Sequence, residues 1–308
     1  MTGMQVRELT AAERSRRDAG LWARATRPPS RGQDSPLKRF LIHVVLIISC
    51  LVVVFPVLRV FSTALRPGDQ MLNTSLAIIP EGATLDAFNK VLFDSSFPNW
   101  IFNSLMVSMG TATVGVMLAA SAAYTFSRYR FRGRNASLTS LFATQMIPGV
   151  MLIVPIFVVF VFIGIVGSTR GLVLAYAVTA VPFSAWILKG YFDTVPPDLE
   201  EAAQIDGCSE LQAFTRVLLP LSVPALAIVF LFNFLAAWGE FFFANVIIGS
   251  NKAIQTWPIG LVSFQGQYQT QWSTLSAAAI LVSIPIVILF IWISKYLVSG
   301  LTLGGVKG

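Results

Sequence analysis

Histidine, cysteine and charge are all scarce in this chain of 308 residues, and each shortage removes a class of function. His43 is the single histidine, and with no second histidine or nearby cysteine a metal site is not expected. Cys50 falls in an apolar run and Cys208 in a polar stretch, so the two define no disulfide framework and take no role. Charged residues make up only 12% of the chain, against roughly 25% in soluble domains, and 55% is hydrophobic, so most of it belongs in lipid. The apolar runs hold no cluster of histidine, cysteine or carboxylate, which leaves a membrane-embedded enzyme without machinery. The terminal GLTLGGVKG (300–308) invites a phosphate-loop reading and fails it. Lys307 is followed by Gly308 where Ser or Thr is required, and such a loop must join a strand to a helix.

A net charge of +7 could point to nucleic acid, but its placement argues otherwise. Arg7, Arg14, Arg16, Arg17, Arg24, Arg27, Arg31, Lys38 and Arg39 stand against Glu8, Glu13, Asp18 and Asp34, directly before the first apolar run. A basic flank of that kind is a cytoplasmic anchor on an anionic leaflet, so the lipid bilayer and no nucleic acid is the expected partner.

About 20 predominantly apolar residues span a bilayer, and six runs qualify: roughly 40–60, 101–126, 139–165, 171–189, 221–246 and 275–298. The first begins only near Phe40 and is long enough to span, so no cleaved leader is expected. Arg128, Arg130, Arg132 and Arg134 in the 127–137 connection carry no acid among them, which puts that connection in the cytoplasm with residues 1–38. Alternation then leaves 61–99 and 250–273 outside and the polar 190–220 loop inside, with both termini cytoplasmic. Turn formers and acids such as Pro67, Gly68, Pro80, Gly82 and Asp86 give the 61–99 segment a little structure of its own, capping the mouth.

Helices in lipid need small residues to approach closely. Gly115, Ala119 and Ala123 sit four apart in the second span, and Ser276, Ala277, Ala278 and Ala279 open the sixth. Pro148 and Pro155 predict a kink or break in the third, serving either packing or a gate hinge. Asn103, Gln145 and Asn233 are uncharged polar residues able to line a channel or to bond a neighbouring helix. Glu240, near the outer end of the fifth span, should face a cavity or the interface, since a mid-bilayer carboxylate costs about 2.5–3.5 kcal/mol.

Between the fourth and fifth spans lies a polar, acid-rich stretch, EAAQIDGCSELQAFTRVLLP (201–220). Pro196-Pro197-Asp198 signals a helix start, with Thr194 or Asp198 as cap and Glu200 and Glu201 in the first turn. Gly207 stops that helix, and Ser209 caps a second one through Leu211, Phe214, Val217 and Leu218 to Pro220. Two short helices on a glycine corner form a stiff elbow, with Ala202 and Ala203 permitting close approach and Glu201 offering charge across a joint.

Glu201-Ala202-Ala203 followed by Gly207, Val217, Leu219 and Pro220 resembles the EAA loop of permease subunits from ABC importers. FPVLRVFSTALRPG (55–68), AYTFSRYRFRG (123–133), KGYFDTVPPDLEEAAQIDG (189–207), VLLPLSVPALAIVF (217–230) and GLTLGGVKG (300–308) extend that likeness over most of the chain after residue 38. They resemble the binding-protein-dependent sugar importers, and within them the maltose/maltodextrin, MalG-type branch. The departures are a longer, more basic N-terminal tail and Val217 at an isoleucine-type position.

The resemblance implies an all-α membrane protein of the type I ABC importer permease fold, with six transmembrane helices. It implies a heteromeric complex with a second related (MalF-like) permease, two (MalK-like) ATPase subunits and an extracytoplasmic sugar-binding protein, in the cytoplasmic (inner) membrane. No cofactor would be bound by this chain, ATP and Mg residing on the ATPase subunits. Glu201, Ala202, Ala203 and Gly207 would dock in a cleft of one ATPase, and the tail Gly304, Gly305, Val306, Lys307 and Gly308 would reach toward it. Phe264, Gly266, Gln267 and Tyr268 match the region that meets the binding protein. Glu240 closes a Trp-polar-acid run common in sugar permeases, and with Asn103, Gln145 and Asn233, read from their own chemistry, it makes the candidate set for lining the pore. The chain itself would not be an enzyme. Its competitor is a stand-alone secondary transporter, which needs coupling-ion residues at mid-membrane and matched broken helices in two halves.

Overall fold

Backbone amides find no water inside hydrocarbon, so apolar runs of spanning length close their hydrogen bonds within helices. A computed structural model describes residues 35–68, 77–249, 251–266 and 270–304; among them everything regular is helical, with one antiparallel bridge between Gln265 and Thr270. The chain divides into two units, one ending at Val60 and one starting at Phe61. The described part of the first is helix α1 (Pro36–Ala64, its last turn in the second unit), whose large apolar side chains from Phe40 to Val57 are exposed except for the half-buried Val44. That is the surface expected of a helix meeting lipid.

The second unit contains α2 (Asp86–Phe93), α3 (Phe97–Arg128), α4 (Arg134–Ala143), α5 (Ile153–Phe162), α6 (Thr169–Phe192), α7 (Asp198–Ile205), α8 (Glu210–Ala213), α9 (Leu219–Leu221), α10 (Val223–Trp238), α11 (Phe242–Ile248), α12 (Trp257–Leu261) and α13 (Trp272–Gly304). Helix α3 is its axis, packed along α6 and α10, while α13 packs on α10 and α2. The small residues make this possible. Ala119 and Ala123 of α3 are fully buried against Ala185 and Leu188, and Ala277 and Ala278 of α13 share a core with Phe234 and Trp238. Gly260 lets α12 lie directly on the indole of Trp100, where any Cβ would overlap the ring.

Among the described residues four helices are long and apolar enough to cross a membrane, and two bent pairs raise the number to six if each pair is one span. The expected 139–165 span is the first pair. Two 3-10 turns, Thr144–Met146 and Gly149–Leu152, flank Pro148, and the halves diverge by 101°. Pro155 makes no break, contrary to expectation: it is the third residue of α5, where no intrahelical N–H bond is lost. The expected 221–246 span begins with a 79° bend, where Glu210–Leu221 meets Val223–Trp238, and stops again at Gly239 before α11 resumes. The segment expected outside, 61–99, holds α2, and α3 starts at Phe97 with Pro98 in its first turn. Residues 1–34 and 69–76 lie outside the described residues.

Candidate functional site

The elbow forms by short-range rules. Pro197 stands at the N-cap of α7, and neither Thr194 nor Asp198 caps it: the Thr194 hydroxyl donates to the Tyr191 carbonyl at 2.7 Å instead. The helix start relies on Asp198, Glu200 and Glu201 in its first turn, whose charges oppose the positive end of the helix dipole. At the far end Gly207 takes φ +93°, Cys208 N–H donates to Ala203 O at 2.9 Å and Gly207 N–H to Gln204 O at 3.0 Å, a Schellman stop. Ser209 then opens α8 with a reciprocal capping box to Gln212, at 3.3 Å and 2.9 Å.

The second arm departs from the expected regular helix. After one turn of α8 the backbone widens into a π turn over Phe214–Leu218. Pro220 has no N–H for the Arg216 carbonyl and its ring would strike it, and the wider turn closes with Leu219 N–H on Phe214 O. The resulting knuckle carries apolar residues that stand exposed: Ile205 is 87% exposed and Leu211 69%, with Leu199, Glu201, Ala202 and Gly207 exposed beside them and Ala203 half-buried.

Sequence reasoning missed the residue that holds α7 in place. Glu200 is 4% exposed and its Oε1 accepts from Arg128 Nε at 2.7 Å. Arg128 also donates to the carbonyls of Phe192 and Val195, each at 3.0 Å. Adjacent helical residues project about 100° apart, so Glu201 faces out because Glu200 faces in. That phase was the available signal. Leaving either charge buried without its partner costs about 3–5 kcal/mol. Beside this pair, Ser127 donates to Asp193 at 2.7 Å and Lys189 to Asp193 at 2.5 Å. Burial alone would raise the Asp193 carboxyl, but the bonds from Lys189 and Ser127 outweigh it and hold the group below its ordinary value. Tyr129 donates to Glu210 at 2.6 Å, and that bond raises its phenol above the usual tyrosine range.

The second candidate is a cavity of about 500 Å³ between α3, α6, α10 and the broken segments, bordered by Gln145, Asn233 and Glu240 together with Thr111, Tyr176 and Thr179. Three of the four expected pore residues therefore meet at one place. Gln145 donates to Thr179 O at 3.1 Å. Asn233 accepts from Ser184 Oγ at 2.9 Å, and its amide nitrogen, without a partner, lies against Gly115, where a Cβ would sit 2.8 Å away. Glu240 spreads its two oxygens over the first turn of α11, accepting from Phe243 N–H and Ala244 N–H at 3.0 Å each. These charge-assisted bonds at a helix start offset the cost of a carboxylate in an apolar region. Both interruptions, at Pro148 and at Gly239, open onto this cavity. Thr111 carries a buried hydroxyl without a partner among the described residues, and Tyr176 a buried hydroxyl that interacts with Glu240; neither was singled out from sequence.

Asn103 corrects an expectation. It lies away from the cavity and donates to the carbonyls of Ala253 and Gln255, at 2.9 and 3.0 Å, tying the 251–255 segment to α3. Phe264 is a second correction: it is buried, edge-on to Trp100 with ring centroids 5.8 Å apart, so its ring is not presented to a partner. Gly266 is exposed, while Gln267 and Tyr268 lie outside the described residues. Gly304 closes α13, and Gly305, Val306 and Lys307 are likewise outside them. His43 bonds the Arg39 carbonyl one turn back, at 2.7 Å, and no group of three or more potential metal ligands occurs among the described residues.

Comparison with known proteins follows the same lines. Residues 113–303 match the family described as binding-protein-dependent transport system inner membrane component. The galactooligosaccharides transport system permease protein GanQ of Bacillus subtilis is 33% identical over 270 residues, covering 86% of this chain and 94% of that one. The maltose/maltodextrin transport system permease protein MalG of Yersinia pestis is 35% identical over 286 residues, covering 86% and 92%. A chain in the crystal structure of a bacterial ABC transporter involved in the import of the acidic polysaccharide alginate shares the fold at TM-score 0.74 and 21% identity, covering 87% of this chain and 99% of that one. With most of its length matched to such permeases, the chain belongs to the binding-protein-dependent transport system inner membrane component family.

Proposed function

We propose that this chain is a pore-forming permease subunit of an ATP-driven sugar importer in the inner membrane, itself free of catalytic residues. Six spans, both termini and the elbow on the cytoplasmic side, and 61–99 and 250–273 outside complete the topology. The observation that carries the reading is the α7–α8 elbow: a helix stopped by Gly207, showing Leu199, Ala202 and Ile205 to its surroundings on a rigid base. Exposed apolar side chains on a polar connection mark a protein interface, and Glu201 supplies charge for an Arg or Lys across it. In this reading Glu201, Ala202, Ala203 and Gly207 seat in an ATPase subunit that binds ATP and Mg, a second ATPase serves a second, related permease, and an external binding protein delivers the sugar. The tail Gly304 to Lys307 reaches the same ATPase interface.

ATPase closure moves the elbow, the bundle rocks between inward- and outward-open states, and hydrolysis resets it. The cavity bordered by Gln145, Asn233 and Glu240 is this chain's share of the path. Relatives named for galactooligosaccharides and for maltose/maltodextrin support an oligosaccharide as the substrate class, with maltose or maltodextrin the first to try. The experiment is affinity purification of the tagged chain with its neighbours: an ATPase copurifies, sugar-stimulated hydrolysis follows in liposomes, and Glu201→Lys abolishes transport. A secondary transporter is the second reading, prompted by two broken segments bordering one cavity that holds Glu240. It requires transport by the chain alone, driven by an ion gradient.

A further inference from the structure

Helix α3 ends at Arg128, and that guanidinium joins three elements at once. It donates to Glu200 in the first turn of α7, to Phe192 at the last turn of α6, and to Val195 in the connection between them. Its neighbours extend the joint: Ser127 bonds Asp193, and Tyr129 bonds Glu210 at the start of α8. Apolar packing backs the polar layer, with Phe214 against Tyr124 at a ring separation of 4.5 Å and Leu218 buried with Ala119 and Ala123. The far reach of α3 is equally well placed, since Thr111 borders the cavity and Gly115 faces Asn233.

Elsewhere the elbow meets the bundle through the connection at Thr194–Pro197 on one side and, on the other, through the π turn and the Ser222 bend, where the Tyr191 hydroxyl donates to Leu221 O at 3.1 Å. Irregular backbone of this kind gives under load, whereas a guanidinium with three fixed acceptors resists displacement in several directions. We infer that Arg128 and Glu200 are positioning residues of the transport cycle: they clamp the elbow to α3, so that a displacement of the elbow is delivered along α3 to the cavity wall. Coupling then runs through a buried ion pair inside this chain, distinct from the surface that meets the ATPase. This inference rests on the elbow being the ATPase dock.

The test uses the whole importer in liposomes, measuring ATPase copurification, thermal stability, and ATP hydrolysed per sugar transported. Glu200→Gln keeps the shape and a hydrogen-bond acceptor but loses the charge; Arg128→Lys keeps the charge and loses the fork. The complex is expected to assemble with either, while ATP consumed per sugar rises about tenfold for Glu200→Gln, equivalent to about 1.4 kcal/mol of lost coupling, and by less for Arg128→Lys. A ratio unchanged from the native complex overturns the inference, whether transport and hydrolysis stay normal or fall together with stability. Failure of the unaltered chain to bring down any ATPase overturns the dock itself and is seen before any variant is made.

Discussion

Replacing Gly207 isolates one backbone angle from everything else in the elbow. At φ +93° the residue occupies the left-handed region, and a Cβ built there meets nothing within 4 Å, so an alanine brings strain without a clash. The cost for an ordinary L-residue is about 1–2 kcal/mol. Relieving it means leaving the turn, which releases the bonds from Cys208 to Ala203 and from Gly207 to Gln204 and frays the end of α7 that carries Ala203. A strain of that size shifts the equilibrium between the docking-ready and frayed turn by about 5–30-fold, and apparent affinity for the ATPase falls by up to the same factor. Asparagine enters the left-handed region more readily, so the order is Gly207, then Asn, then Ala, with β-branched Val worst. The assay is equilibrium binding of the purified ATPase to the permease pair in nanodiscs. If Gly207→Ala binds like the native chain, or if Asn and Ala weaken binding equally, the left-handed turn is not what makes the elbow ready to dock.

Gly115→Ala should push the Asn233 amide, and because Ser184 holds its other end the strain is not relieved freely; thermal unfolding in detergent should show a loss of about 1–3 kcal/mol. Combining it with Asn233→Ala should cost less than the sum of the two single changes, which a double-mutant cycle measures. Glu240→Gln, although isosteric, sets an NH2 against one of two backbone N–H groups; it should lower stability nearly as much as Glu240→Ala, by about 1–2 kcal/mol in the same melts. For Tyr129 the folded pKa is raised above 10.0, so its bond to Glu210 contributes fully below that pH and is lost as pH climbs through the higher folded value. Ultraviolet titration of native chain and Tyr129→Phe should differ by one tyrosinate that forms only beyond the ordinary range.

Local chemistry was readable residue by residue. The Gly207 stop, the Ser209 cap and the break at Pro148 all depend on bonds made within a few positions, and each stands where its residue predicts. The failures are local too where two rules compete. Thr194 had a closer acceptor in Tyr191, Pro155 fell in a first turn that tolerates it, and Pro220 turned the preceding helix into a π turn. At long range the sequence named residue types without partners: Gln145, Asn233 and Glu240 meet at one cavity, whereas Asn103 serves a loop and Phe264 a core.

The chain's own composition determined that it lives in lipid, that its backbone is helical, and that one polar elbow breaks the apolar pattern, because hydrocarbon admits no unpaired backbone and short turns obey nearest-neighbour rules. The tertiary structure alone decided what holds the inward glutamate. Helical phase puts Glu200 and Glu201 on different faces, but the partner of Glu200 is Arg128, 72 positions earlier, and a separation of that size leaves no trace in spacing. It also decided that Gly115 makes room for Asn233, since which faces of two helices meet depends on how the whole bundle packs.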